Sequence, residues 1–142
     1  MSVLDLGTGS GIISIAAEKL GAADILALDI DPVAVSAAKS NVATNCSSSR
    51  IRVRRGTLSQ RAQARYKDYF DLVIANITSR AICDLAGAFF KVLKPGGRLI
   101  ASGIHAEGLD EVLINLALAD FKLEKVDDQN DWHAVVASKM QV

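Results

Sequence analysis

The chain has 142 residues, half of them apolar and 23% charged, enough for one domain with a hydrophobic core and too few for two. Its 16 Lys and Arg balance its 16 Asp and Glu, so it lacks the positive excess of a protein built to grip a phosphate backbone, and no direct nucleic-acid partner is expected. No apolar run approaches the ~20 residues of a membrane span, no secretory signal is expected ahead of the first strand, and Cys46 and Cys83 read as two reduced cytoplasmic thiols, with no metal site.

In chain order, residues 3–6 are short, apolar and followed by glycines, which predicts a buried strand. A domain rarely begins with its central strand, so further chain upstream of Met1 is expected. Residues 12–20 predict a helix whose apolar face is Ile12, Ile13, Ala16, Ala17 and Leu20, stopped by Gly21. A second buried strand follows at 25–28. Asp31 then stands where an N-cap belongs and Pro32 where a first helical residue belongs. Ala34, Val35, Ala38 and Val42 form the apolar face of that helix. Ser47-Ser48-Ser49 is a short loop signal. In 50–55, Ile51 and Val53 alternate with Arg50, Arg52 and Arg54. That is the pattern of a half-exposed edge strand, where charge blocks unwanted pairing; a nucleic-acid patch is the competing reading of these arginines, and the edge-strand account already explains the alternation.

No clear element emerges between Thr57 and Tyr69. Residues 71–75 predict another buried strand, and Ile82, Leu85, Ala86, Phe89 and Leu93 fall at helical spacing after it. Pro95-Gly96-Gly97 is expected to end that helix, with a strand at 99–102. Leu109, Val112, Leu113 and Leu116 mark the last helix. Residues 121–123 alternate, 127–131 are a polar turn, and 132–137 are a final β run in which Trp132 is expected to pack into the core. Alternating β and α with apolar strands implies an α/β fold: a doubly wound sheet, mostly parallel and covered on both faces. The last two strands are separated by too few residues for a parallel crossover, so they form an antiparallel terminal hairpin.

Three places carry candidate chemistry. Asp5-Leu6-Gly7-Thr8-Gly9-Ser10-Gly11 joins a strand to a helix. Glycines there let a ligand approach the backbone. The spacing is G-x-G-x-G, whereas the dinucleotide pattern wants G-x-G-x-x-G, and here that extension falls on Ile12. Asp5 would repel a pyrophosphate but suits a ligand with an ammonium group. Asp29 ends the second strand, 22 residues after Gly7, where an acid accepts hydrogen bonds from ribose hydroxyls; the capping role goes to Asp31. Asn76 ends 72–76, at the carboxyl end of a strand where doubly wound sheets bind ligands. Its amide can hold a substrate amine without protonating it, and a turn or pre-helix cap is the competing role. His105 and His133 show no partners and are expected in surface or loop roles.

Asp5 to Gly11, Leu28-Asp29-Ile30-Asp31-Pro32, Ala75-Asn76-Ile77 and the run from Pro95 through Ser102-Gly103-Ile104, with a closing hairpin carrying Trp132 and Lys139, together resemble the methyltransferase family of large-subunit ribosomal protein eleven (PrmA-like). The first two motifs are general to class I methyltransferases; the Ala-Asn-Ile and Ser-Gly-Ile strand ends are the more specific ones. The resemblance implies a Rossmann-like sheet of seven strands, the last one reversed, binding S-adenosyl-L-methionine. It makes Asp5, Gly7, Thr8, Gly9, Gly11, Asp29, Ile30, Thr57, Leu58 and Asn76 the candidate cofactor-binding residues. Asn76 is also the candidate catalytic residue, framing the target amine. The reaction implied is methylation of lysine side chains or an N-terminal amine of a ribosomal protein in the cytoplasm. The chain then reads as a single methyltransferase domain over 1–142. The family's substrate-recruiting domain and its Gly- and Thr-rich segment ahead of the first strand have no counterpart in it. Three other readings stay open: a cofactor-binding remnant without catalysis, a methyltransferase acting on a small molecule or RNA, and a nicotinamide-dependent oxidoreductase.

Overall fold

Strands buried on both faces need near-continuous apolar sequence, and helices then cover the sheet from either side. The computed structural model, which describes residues 1–46 and 49–141, follows that logic. Ser47 and Ser48 of the serine run lie outside the described residues. The elements are β1 (Ser2–Leu6), α1 (Ile12–Lys19), β2 (Asp24–Asp29), α2 (Pro32–Asn45), β3 (Ile51–Arg55), α3 (Gln60–Arg65), β4 (Phe70–Asn76), α4 (Ser79–Val92), β5 (Leu93–His105), a 3-10 turn (Ala106–Gly108), α5 (Leu109–Leu118), β6 (Lys122–Gln129) and β7 (Trp132–Ser138). They form one seven-stranded sheet in the order β3-β2-β1-β4-β5-β7-β6. The first five strands are parallel neighbours, and β7 is antiparallel to both β5 and β6. This is the doubly wound α/β sheet with an antiparallel end that the sequence predicts. Among the described residues no helix is long and apolar enough to cross a membrane.

Side chains alternate across a strand, so each strand feeds two cores. Leu4, Leu6, Leu26, Leu28, Val73 and Ala75 face α4 and α5, packing with the fully buried Ile82, Phe89 and Val112. Burying each such side chain contributes roughly 1.5–3 kcal/mol. On the other face Ala27 and Val53 meet Val35 and Ala38 of α2, and Val3 and Ile25 meet Ala22 and Ala17. The edge position of β3, with Val53 buried and Arg54 exposed, is the one its alternation predicts.

Five expectations need correction. The polar turn expected at 127–131 is shorter, because Asp127, Asp128 and Gln129 continue β6 and pair with Ala134, His133 and Trp132 of β7. The apolar face expected of α1 is not the buried one. Ile12 is 69% and Leu20 89% exposed, whereas Ser14 is fully buried, because its hydroxyl donates to the buried Asp5 and turns that side of the helix inward. The unassigned stretch after Thr57 contains α3, capped by Ser59 Oγ accepting from the Ala62 amide. Gln60, Arg61, Gln63 and Arg65 gave it no apolar period to read. Pro95-Gly96-Gly97 does not separate α4 from a short strand, because β5 already runs through it. The Gly96 amide donates to the Lys139 carbonyl and the Lys139 amide to the Gly97 carbonyl, a long-range pairing invisible to local turn signals. Trp132 is 56% exposed at the end of the hairpin, edge-on to His105 at 5.4 Å, not in the core.

Candidate active site

The site is built where β1, β2 and β4 end. Parallel strands release their chains at the same side, so the loops after them meet there. The loop after β1 turns through Gly7, Gly9 and Gly11, with φ of 77°, 56° and 85°, a left-handed region that favours glycine. Gly7 is also sterically closed, and Gly11 is tight. A Cβ on Gly7 would stand 2.5 Å from Ile77 Cγ2, and one on Gly11 3.3 Å from Ala38 Cα. The Gly7 and Thr8 amides both donate to the Leu28 carbonyl, at 2.8 and 3.0 Å, tying the loop to β2.

Asp5 lies beneath this loop. Its Oδ2 accepts from the Thr8 hydroxyl at 2.7 Å and the Ser14 hydroxyl at 2.8 Å. Its Oδ1 is buried and has no hydrogen-bond partner among the described residues. Burial pushes the Asp5 carboxyl above its ordinary value; the Thr8 and Ser14 bonds oppose the rise without cancelling it, and the Asp29 charge adds to it. Asp29 ends β2 half-buried. Its Oδ2 accepts from the Gly9 amide and its Oδ1 from the Asp31 amide, each at 3.0 Å. Asp31 caps α2 by accepting from the Val33 amide at 2.9 Å, with Pro32 at the first helical position.

Asn76, the last residue of β4, is exposed and pairs in register with Ser102 of β5. Its amide group lies against Gly103. A Cβ there would be 2.7 Å from Asn76 Oδ1, and φ at Gly103 is 76°. The cap of α4 is not Asn76 but Thr78, whose hydroxyl accepts from the Ala81 amide at 3.2 Å.

A cavity of about 360 Å³ opens between these strand ends, within the usual range for small-ligand sites. Of the residues singled out in the sequence, Gly7, Asp29, Ile30, Thr57 and Asn76 line it. The others do not. Asp5 and Thr8 are buried under the loop, Gly9 and Gly11 shape its backbone, and Leu58 is 2% exposed within the main core. The opposite wall, Ile77, Ala81 and Leu85, went unread. Ala81 and Leu85 are one helical turn apart on α4 and were indistinguishable from core residues by spacing.

Residues 1–140 match the family described as "Ribosomal protein L11 methyltransferase (PrmA)". Proteins named "Ribosomal protein L11 methyltransferase" from an Exiguobacterium species and from Geobacillus kaustophilus are 43% and 42% identical over 137 residues, 96% of this chain in each case. The chain spans 43% of the length of each of these relatives. A crystal structure of a ribosomal protein L11 methylase from Lactobacillus delbrueckii subsp. bulgaricus superposes with a TM-score of 0.85 at 32% identity, over 99% of this chain and 70% of that one. An S-adenosylmethionine-dependent methyltransferase from Mesorhizobium loti shares the fold with a TM-score of 0.78 at 18% identity, over 96% of this chain and 90% of that one.

Proposed function

Because the chain belongs to the ribosomal protein L11 methyltransferase family, we propose that residues 1–142 form one S-adenosylmethionine-binding domain that methylates amino groups of a protein. The acceptor is a lysine side chain or an N-terminal amine, on a large-subunit ribosomal protein in the cytoplasm. What supports this most is that Gly7, Asp29, Ile30, Thr57 and Asn76, read from four separate segments, line one cavity.

The residues present suit that cofactor. Asp5 lies beneath the loop rather than on the cavity wall and holds it from below through Thr8 and Ser14. Asp29 has lone pairs left for a ribose diol after its two backbone bonds. Ile30, 69% exposed on the rim, offers apolar contact to a flat ring. When bound, S-adenosylmethionine supplies a methyl group on a sulfonium, open to in-line attack by a neutral amine. Asn76 accepts a hydrogen bond from that amine and aims its lone pair. A carboxamide takes up no proton here, so the proton leaves to water. Asp29 is the one carboxylate among the described residues on the cavity wall, and it sits on β2 rather than beside Asn76. The chain's contribution is therefore positioning and exclusion of water by Ile77, Ala81 and Leu85.

Titration calorimetry with S-adenosylmethionine, its demethylated product and NAD tests the cofactor. Binding of NAD without S-adenosylmethionine refutes the assignment. Transfer of a labelled methyl group to the purified ribosomal protein tests the activity, with this chain alone and with the chain joined to the upstream portion of a full-length relative. Contacts remote from the reacting atoms raise rate as well as affinity, so weak transfer by the chain alone and strong transfer by the fusion are expected. Asn76→Ala in the fusion should remove most of it. Robust transfer by the bare chain would show that it recruits its own substrate, and would favour a smaller one.

A further inference from the structure

The zero net charge hides a strong asymmetry. Arg50, Arg52, Arg54, Arg55, Arg61 and Arg65 are six of the chain's eight arginines, and all six belong to β3, α3 and the residues flanking them. Eight of the 16 acidic residues fall between positions 107 and 131, the segment that forms α5 and β6. β3 and β6 are the two opposite edges of the sheet. The molecule therefore has a basic edge and an acidic one.

The basic edge is not flat. A hollow of about 560 Å³ lies between β3 and α3, with Leu26 and Leu28 in its floor, Tyr66 on its wall, and Arg52, Arg54 and Arg65 around it. No acidic residue among the described ones lines it. Arg52 is ion-paired with Asp24 at 2.9 Å, but Arg54 and Arg65 make no ion pair among the described residues. Arg65 instead lies over the Tyr66 ring, 5.5 Å from its centroid. Blocking edge-to-edge pairing accounts for the arginines of β3. It does not account for Arg65, which converges on the same hollow from a different element. Guanidinium groups gathered without counter-charges repel one another unless an anion joins them. The proposed methyl donor carries no phosphate, and the hollow shares only Gly56 and Thr57 with the cavity at the strand ends.

We propose that this hollow docks an unpaired nucleic-acid strand, its phosphates on Arg54 and Arg65 and a base against Tyr66 and the apolar floor. A basic groove interleaved with an aromatic face is the combination that holds single strands without reading sequence. The proposal is independent of the methylation chemistry.

The test is fluorescence anisotropy with a labelled single-stranded RNA of about 10 nucleotides. Binding with a Kd on the order of 10⁻⁵ M is expected, weakening roughly sevenfold between about 50 and 200 mM salt if the two phosphates on Arg54 and Arg65 are neutralised. Arg54→Glu and Arg65→Glu should each weaken it about tenfold or more and flatten the salt dependence. Lys122→Glu makes the same change in net charge on the exposed strand β6 and should leave binding unaltered. Three results would overturn the proposal. One is no binding at low salt. Another is an equal loss in Lys122→Glu, which would mean a bulk-charge effect. The last is sedimentation showing that the basic edge holds the acidic edge of a second copy, in an association that RNA does not displace and that Arg65→Glu abolishes.

Discussion

Replacing Asp29 by alanine separates what this carboxylate does for the loop from what it does for a ligand. In the sequence, Asp29 is read as a ribose acceptor and Asp31 as the helix cap, so only Asp31→Ala should cost folding stability. The structure changes that division. Asp29 accepts the Gly9 amide with one oxygen and the Asp31 amide with the other, both at 3.0 Å, whereas Asp31 accepts only the Val33 amide, at 2.9 Å. A hydrogen bond to a charged group contributes about 1.5–3 kcal/mol. The half-buried position of Asp29 lets water replace part of that, so about 1.5–3 kcal/mol for the two bonds together is expected. Losing the exposed cap at Asp31 costs about 1 kcal/mol. In urea unfolding of the ligand-free chain, Asp29→Ala should therefore lower the midpoint at least as much as Asp31→Ala, with the slope unchanged. Calorimetry should show the cofactor bound roughly 10–150-fold more weakly by Asp29→Ala and within about threefold of wild type by Asp31→Ala. If Asp29→Ala left the unfolding midpoint unmoved, its two backbone bonds would not be holding the loop. If Asp31→Ala weakened the cofactor more, the ribose assignment would be wrong.

Gly7→Ala forces a methyl to 2.5 Å from Ile77 Cγ2 in a left-handed backbone; a loss of about 1–2 kcal/mol from the backbone alone and loss of cofactor binding are expected, by thermal unfolding and calorimetry, and retained binding would contradict the wall described. Lys139 Nζ donates to Asp68 and to the Phe90 and Leu93 carbonyls at 2.8–2.9 Å, so Lys139→Met should destabilise the fold by about 1.5–3 kcal/mol in urea while leaving cofactor affinity unchanged. Asp5 titrates above its ordinary value of 3.8 because it is buried, so its folded state holds the proton longer than its unfolded state. Its contribution to stability is full below pH 3.8 and is lost as pH rises through the raised value. Asp5→Asn should remove that downward slope from a plot of unfolding midpoint against pH; an unchanged slope would place the titration elsewhere.

Most of the fold was legible because its signals are local and agree. Asp31 and Pro32 sit at the cap and first position of α2, and the short gap before Trp132 forced an antiparallel hairpin. The errors share a cause, which is that a partner distant in sequence overrides local pattern. Ser14 is inward because Asp5 is there to receive its hydroxyl. β5 runs through Pro95-Gly96-Gly97 because Lys139 pairs with it. α3 is held by its Ser59 cap and by Ala62 and Tyr66 against the main core rather than by an apolar stripe of its own. Arg65, on that same short helix, was equally unreadable as part of a hollow with Arg54.

The site was legible in its anchors and not in its walls, for a physical reason that bears on how the loop works. Residues read as ligand groups turn out to be bonded first to one another: Asp5 to Thr8 and Ser14, Asp29 to the Gly9 and Asp31 amides, Gly7 and Thr8 to the Leu28 carbonyl. Glycines with positive φ need such bonds, since their freedom costs conformational entropy that nothing else on the loop offsets. The acids thus hold open a cradle before any ligand arrives, and a ligand entering it meets groups already oriented, with little further ordering cost. An acid–glycine motif is conspicuous in sequence because one set of residues must meet both demands at once. Ile77, Ala81 and Leu85 meet only one, apolar contact, and so look like any other core side chains until the strands bring them opposite Asp29.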